Sequence, residues 1–235
     1  MTGRRASVSP WVGTGIYTIP EAAHLMGTNV TRVRRWLLGY RFPTKAPGGG
    51  HSPPIFLPQL PQIDHHWAIG FLDLIELLFI KAFREQGVTL PTIRKAAKEA
   101  ARRWNTTHPF CVKRFATDGR SIFATLQDET GEDTLLELTR SQLCFRQFLN
   151  PYLKKLDYRG IGDVSRWWPL GKSAPVFLDP NISFGKPVIA QHNVPTEAIC
   201  RALEADQTER EVADWFEIPI EAVRAAARFE ECMAA

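Results

Sequence analysis

The chain has 235 residues, 44% of them hydrophobic and 23% charged, which is the composition of a globular protein of one or two domains. Its longest apolar stretch, residues 68–83, carries Asp73, Glu76 and Lys81, so it predicts a buried helix and not a membrane span. No apolar segment follows the two arginines near the start, so we expect no signal peptide and a cytoplasmic protein.

The charge of the chain is unevenly distributed. Residues 1–120 hold 17 Lys and Arg against 7 Asp and Glu, whereas residues 121–235 hold 12 against 18. This asymmetry predicts that the first half faces nucleic acid and that the second half has another task. The four cysteines lie far apart without a C-x-x-C pair, so we expect reduced thiols and neither a metal site nor a cofactor.

Residues 1–16 are polar and rich in small residues, which predicts a loose arm. The stretch that follows, Tyr17 to Tyr40, has the pattern of a helix-turn-helix. Ala23 permits close approach of two helices, and Gly27 four residues later accepts the positive φ of the turn. Val33 and Trp36 are spaced to lie on the inner face of the second helix.

The outer face of that second helix is left with polar and cationic residues, which suits contacts to phosphates and base edges. The predicted DNA-binding residues of the helix are Asn29, Thr31, Arg32, Arg34 and Arg35. The phrase I-x-E-A-A-x-L-x-G, followed by T-R-V-R-R-W, resembles the winged helix-turn-helix of the MerR and excisionase families. The alternative is an ordinary helical hairpin with a solvated basic face.

The next segment carries the Gly48-Gly49-Gly50 turn between Lys45 and His51. In the winged families a β-hairpin wing presses on the DNA backbone at this place, so the resemblance implies DNA contacts by Lys45 and His51. A linker rich in proline and glycine is the alternative. The additional prolines Pro53 and Pro54 depart from the family pattern.

Two helices are expected next, residues 68–86 and 89–104, and the second has a basic face. The phrase L-x-x-L-x-F-I-x-x-x-R-x-x-G-V-T-L-x-x-I-R again resembles the MerR family, in which such helices brace the DNA-reading unit. We therefore assign residues 17–104 to one winged helix-turn-helix domain. The basic face either touches phosphates or is a solvated charge stripe; its residues are Arg94, Lys95, Lys98, Arg102 and Arg103.

Residues 105–178 are predicted to form a small antiparallel β region. The Asp118-Gly119 pair between the β-prone runs 111–116 and 121–126 indicates a hairpin. Further strands are expected at 134–138, 163–170 and 176–177, whereas residues 141–156 fit either a strand or a helix.

Residues 179–235 are predicted to form three helices, the second of which begins at the capping box of Thr208 and Glu211. The phrases G-K-P-V-I-x-x-x-x-V-P-T and E-V-A-D-W-F-E-I-P-I-E-A-V-R-A-A resemble a small helical family of unknown function found in VapB-like antitoxins. Residues 193–235 hold 4 Arg and no Lys against 10 Asp and Glu, so this unit should repel DNA. Dimerisation or capture of a basic protein fits better, and a purely structural helical cap is the alternative.

The sequence thus predicts an α+β fold: a winged helix-turn-helix with bracing helices, a central sheet and an acidic three-helix domain. The resemblances imply an antitoxin of a type II toxin–antitoxin system. Such a protein would form a homodimer, bind double-stranded operator DNA and neutralise a PIN-like ribonuclease toxin.

Two other function classes are open at this point. One is a stand-alone MerR-like transcriptional regulator whose residues 105–235 sense a ligand or form a dimer. The other is a nucleic-acid-modifying enzyme, which nothing favours because the catalytic motifs G-x-x-x-x-G-K-[ST], H-E-x-x-H and G-x-S-x-G are all missing.

Overall fold

The computed structural model describes residues 13–44, 49–63, 65–131, 139–160, 162–205 and 207–234. The chain has an α+β fold, with small antiparallel sheets set between helices. Its buried apolar side chains form one cluster that runs from Tyr17 to Phe229. In the part of the chain just given, no helix is both long and apolar enough to cross a membrane.

The predicted helix-turn-helix is present as α1 (Ile19–Leu25) and α2 (Val30–Leu38). The α1 helix begins at a capping box in which Thr18 and Glu21 satisfy each other's backbone N–H groups. In the turn, Gly27 has φ +57°, which glycine adopts without steric cost. The inner-face residues Val33 and Trp36 are 0% and 5% exposed, as their spacing predicted.

A three-stranded sheet and a separate hairpin flank these helices. In the sheet, β5 (His66–Ile69) pairs antiparallel with both β1 (Tyr17–Thr18) and β4 (Gln62–Ile63). The hairpin consists of β2 (Tyr40–Phe42) and β3 (Gly50–Ser52), and it occupies the place predicted for the wing.

The two expected long helices are α3 (Phe71–Glu85) and α4 (Leu90–Trp104). The α3 helix starts three residues later than predicted because Ala68 and Ile69 belong to β5, where they pair with β1. Most of α3 is buried, and it anchors an aromatic cluster that includes Phe79, Phe83, Phe110, Phe115, Phe123, Phe145 and Phe148.

The β-hairpin predicted around Asp118-Gly119 is wrong, because these residues lie inside the helix α5 (Phe115–Thr130). The buried residues Phe115, Ile122 and Leu126 recur at helical spacing and pack into the aromatic cluster. Gly119 has a packing role there, because a Cβ atom on it would lie 2.7 Å from the ring of Phe115. Tertiary packing therefore overrides the turn signal. The strand predicted at 134–138 lies outside the described residues.

The segment left open between strand and helix forms α6 (Gln142–Leu153), with Pro151 tolerated in its last turn. Two antiparallel pairs follow: β6 (Leu156–Tyr158) with β7 (Val164–Trp167), and β8 (Val176–Phe177) with β9 (Val188–Ile189). The strands expected near 163–170 and at 176–177 are thus confirmed, but residues 105–178 are a mixed helical and β region and not a β region alone.

Three helices close the chain, as predicted: α7 (Thr196–Glu204), α8 (Glu209–Phe216) and α9 (Ile220–Ala234). The capping box of Thr208 and Glu211 is formed at the start of α8. The segment that precedes these helices is tied to the strand that leads into α1, because the Tyr17 hydroxyl donates a buried hydrogen bond of 2.7 Å to the Gly185 carbonyl. The Ile16 N–H also donates to the Phe184 carbonyl at 3.0 Å.

Candidate nucleic-acid interface

The N-terminus of α2 is fixed by Asn29. Its Oδ1 atom accepts a hydrogen bond of 2.7 Å from the Thr31 N–H, so Asn29 is the N-cap of the helix. The cap uses the oxygen of the amide and leaves its Nδ2 group as a donor. Asn29 and Thr31 stand at the start of α2, and both are exposed. In DNA-binding helix-turn-helix proteins this part of the second helix usually contacts base edges.

The three arginines of α2 are exposed and occupy different parts of its surface. With about 100° between successive residues, Arg35 lies opposite the buried Val33, and Arg32 and Arg34 lie on the two flanks. Among the described residues, none of the three forms a salt bridge. Their positive charge is therefore not neutralised by a carboxylate in the fold.

A cleft of about 390 Å³ lies beside α2. Four cationic side chains and one carboxylate line it, so its potential is positive. The lining residues are Arg32, Arg35, Trp36, Tyr40, Lys81, Arg84, Glu85 and Leu90. The guanidinium of Arg35 lies 5.1 Å above the ring of Tyr40, a cation–π contact that joins α2 to the first strand of the hairpin.

The turn between α1 and α2 is held by a lysine of the bracing helix α3. Lys81 Nζ donates to the Met26 carbonyl at 2.6 Å and to the Gly27 carbonyl at 3.3 Å. These carbonyls lie at the C-terminal end of α1, where a positive charge interacts favourably with the helix dipole. Lys81 therefore ties the C-terminal end of α1 and the start of the turn to α3.

The hairpin places a further positive charge, that of Arg41, next to α2 along the chain. Arg41 and His51 are directly opposite each other on β2 and β3, and both are exposed. The ring of Phe42 covers Gly50 so closely that a Cβ atom there would lie 2.3 Å from it. The predicted DNA-binding residue Lys45 lies outside the described residues.

The wing is braced from α4 by Arg94. Its guanidinium donates to the Ser52 hydroxyl at 3.1 Å, to the Pro53 carbonyl at 2.7 Å and to the Pro54 carbonyl at 3.1 Å. The extra prolines that depart from the family pattern thus present carbonyl acceptors to Arg94. Because its donors are used inside the protein, Arg94 holds β3 in place.

The rest of the basic face of α4 divides into two groups. Arg102 and Arg103 pair with Glu99 on their own helix, at 2.8 and 3.4 Å. Lys95 and Lys98 are exposed, and neither forms a salt bridge within the described ranges. Only part of the predicted stripe is therefore available to an outside anion.

Sequence reasoning missed Arg41 and the structural roles of Lys81 and Arg94. A sequence pattern could have identified Arg41. The run Y-R-F leads into the predicted wing, and because successive side chains of a strand point to opposite faces, its arginine lies on the face opposite the two aromatic rings. No sequence signal existed for the bracing contacts, because Lys81 and Arg94 reach partners about 40 to 55 residues away.

Beneath the interface, α3 carries two buried carboxylates. Asp73 accepts hydrogen bonds from the Gln59 and Gly70 N–H groups, both at 2.9 Å, and its other oxygen lies 2.8 Å from His108 Nε2. Burial raises the pKa of Glu76 to about 8, although hydrogen bonds from the backbone N–H groups of Phe110 and Cys111 act in the opposite direction.

These carboxylates accept hydrogen bonds from loop backbone N–H groups and so attach the segment before α3 and the segment after α4 to α3. Within the part of the chain that the structure describes, no cluster of three or more His, Cys, Asp or Glu residues could hold a metal ion.

Three comparisons with known proteins bear on this fold and interface. Residues 176–229 match the family model described as "Protein of unknown function (DUF433)". The chain is also 24% identical over 222 residues to "Putative antitoxin VapB45" of Mycobacterium tuberculosis, an alignment that covers 90% of this chain and 92% of that protein.

The X-ray crystal structure of Rv2018 from Mycobacterium tuberculosis has the same fold, with a TM-score of 0.68 at 22% identity. That match covers 90% of this chain and 96% of the other. The family match and the curated relative together support an antitoxin-like family for this chain.

Proposed function

We propose that this chain is the antitoxin of a type II toxin–antitoxin system. In this proposal it binds and neutralises a PIN-like ribonuclease toxin and binds operator DNA as a cytoplasmic homodimer to repress its own transcription. The observation that carries the proposal is the similarity to "Putative antitoxin VapB45" across nine-tenths of the chain, on a fold whose α2 helix exposes three arginines that form no salt bridge among the described residues.

The DNA-binding part rests on the α2 surface. Arg32, Arg34 and Arg35 are exposed and cationic, and they point away from the core beside a cleft of positive potential. Guanidinium groups in such positions suit phosphate oxygens and the O6 and N7 atoms of guanine. Asn29 and Thr31 would contact bases near the helix start, while the wing residues Lys45 and His51 would contact the backbone. Such contacts would correspond to the MerR-like mode of DNA binding that the resemblance of the sequence phrases implies.

The proposed homodimer would suit an operator with two-fold symmetry. A two-fold dimer presents two recognition helices about one DNA turn apart, roughly 34 Å, on a palindromic site. Inhibition of the toxin would use the acidic C-terminal helices, because an RNA-binding nuclease must present cationic groups to phosphates. Arg32, Arg34 and Arg35 belong to a different surface, so the two activities are expected to separate by mutation.

The test replaces Arg34 and Arg35 together by alanine and titrates the protein against a fragment of its own promoter. The slope of log affinity against log salt is negative, and each lost phosphate contact makes it less steep by about 0.9. We therefore expect the slope of the double variant to be less steep by up to about 2, with toxin inhibition unchanged. The matched control is Arg146→Ala with Lys154→Ala, which removes the same charge from exposed positions at α6.

Equal slopes in the two double variants would contradict the assignment of DNA binding to α2. Loss of toxin inhibition together with DNA binding would contradict the separation of the two surfaces. If the chain binds its promoter but no toxin, the stand-alone regulator is the function that fits, and the C-terminal helices then serve as a sensor or dimer module.

A further inference from the structure

The α8 helix exposes a large apolar side chain that the described part of the chain leaves uncovered. Trp215 is 75% exposed, whereas its apolar neighbours Val212 and Ala213 are 0% and 4% exposed. Isolated exposed apolar residues are common, but tryptophan buries more apolar area than any other side chain when it finds a partner. The position of Trp215 on the helix is therefore informative.

Helical geometry places Trp215 at the edge of the packed side of α8. It follows Val212 by three residues and so lies about 60° from it around the axis, but it lies about 160° from the other buried residue, Ala213, and therefore at one flank of the core-facing stripe. The apolar stripe of α8 is thus wider than the surface that the rest of the fold covers.

Carboxylates surround this position along the chain. Glu211, Asp214 and Glu217 are all exposed, and Glu211 precedes the indole by one helical turn. Asp214 and Glu217 form no salt bridge among the described residues, and Glu211 is engaged only in the cap with Thr208. An exposed indole with exposed carboxylates beside it along the chain suits a cationic partner, since the face of the ring also attracts lysine and arginine.

We propose that Trp215 is the anchor of the surface that binds the toxin, with Glu211, Asp214 and Glu217 as its charged rim. This inference rests on the proposed antitoxin function and names the surface that carries it. The occupant is a cationic surface of the ribonuclease, which must be positively charged where RNA phosphates pass. A bound antitoxin would then cover the RNA-binding surface of the ribonuclease with a negatively charged surface, as RNA itself does.

A second copy of this chain is the weaker candidate for the occupant. A two-fold interface on this patch would bring Glu211, Asp214 and Glu217 against the same three residues of the other copy. Like charges placed opposite each other across an interface disfavour association. The charge pattern therefore favours a partner of opposite sign.

The experiment measures binding of the full-length chain to the purified product of the adjacent gene by calorimetry. Trp215→Ala is expected to weaken binding more than tenfold, as truncation of a tryptophan hot spot does. The matched control is Leu143→Ala, which removes an apolar side chain that is 65% exposed on α6. Because Trp215 is exposed, its variant should keep the thermal midpoint and the promoter binding of the unmodified chain.

A second variant tests the charged rim. Asp214→Asn combined with Glu217→Gln should slow association and flatten its dependence on salt, because rim charges act mainly on the association rate.

Three results would overturn the inference. Trp215→Ala binding as tightly as the unmodified chain would remove Trp215 as the anchor and leave the antitoxin function standing. A change in the mass of the free protein on Trp215→Ala would make the patch a contact between copies. Failure of the unmodified chain to bind the adjacent product would remove both the inference and the proposed function.

Discussion

The role of Arg94 as the brace of the wing predicts a specific defect in Arg94→Ala. The guanidinium makes three hydrogen bonds, one to a hydroxyl and two to carbonyls of the segment that leaves β3. Hydrogen bonds from a charged donor contribute up to about 3 kcal/mol each when buried, but Arg94 is only partly buried, so we expect a total loss of about 1–3 kcal/mol in the free energy of unfolding. For a chain of this length the thermal midpoint should fall by about 2–4 °C per kcal/mol.

The matched control is the neighbouring exposed residue in Lys95→Ala, which removes the same charge from α4 without touching the wing. Calorimetry and a gel shift with the promoter fragment should be run on both variants. Arg94→Ala should lose both stability and promoter affinity, whereas Lys95→Ala should keep its thermal midpoint. Identical thermal midpoints and identical gel shifts for the two variants would refute the bracing role.

Two further predictions concern buried groups. The pKa of Glu76 is about 8 in the fold and about 4.5 in the unfolded chain, so the folded state retains a proton that the unfolded chain releases between these values. The free energy of unfolding should therefore fall as pH rises from 4.5 to 8, by at most roughly 1.4 kcal/mol per pH unit. Glu76→Gln should remove this loss. If urea unfolding shows the same change in stability between pH 6 and pH 8.5 in both proteins, the prediction is contradicted. Tyr17→Phe removes the buried hydrogen bond to the Gly185 carbonyl and should cost about 1–3 kcal/mol in urea unfolding. Gly185→Ala should lower the free energy of unfolding further, because the new Cβ would lie 2.3 Å from Tyr17 Oη and because residue 185 has a φ of +84°. If either variant is as stable as the unmodified chain, this contact does not stabilise the fold.

The helix-turn-helix could be predicted from the sequence because its determinants are local. Gly27 sets the turn, and Val33 and Trp36 set the inner face, all within one short segment. The exposure of the three α2 arginines follows from the same periodicity. The same holds for the capping box of Thr208 and Glu211, in which the two residues that satisfy each other are three positions apart.

The wrong hairpin at Asp118-Gly119 has a different physical origin. A two-residue turn signal is strong only when the flanking runs alternate, and here Phe115, Ile122 and Leu126 follow a helical period instead. The period over twelve residues was the better guide than the dipeptide. Gly119 is present because the ring of Phe115 leaves no room for a side chain, and that reason is visible only in the packed fold.

The contacts that join distant segments could not be predicted. Arg94 lies about 40 residues from the wing that it braces, and Tyr17 lies 168 residues from Gly185. Nothing in either local pattern indicates the partner. The link between Tyr17 and Gly185 also ties the entry of α1 to the segment before the C-terminal helices, so the helix-turn-helix and the acidic helices share one core.

The most direct test of the antitoxin function is co-purification. The untagged chain is expressed together with a tagged product of the adjacent gene, the complex is isolated through the tag, and its mass and ribonuclease activity are measured. We expect a stable complex in which the ribonuclease activity of the tagged protein is lost. A tagged protein that elutes alone with full activity, while the untagged chain still binds its own promoter, would contradict the proposed function.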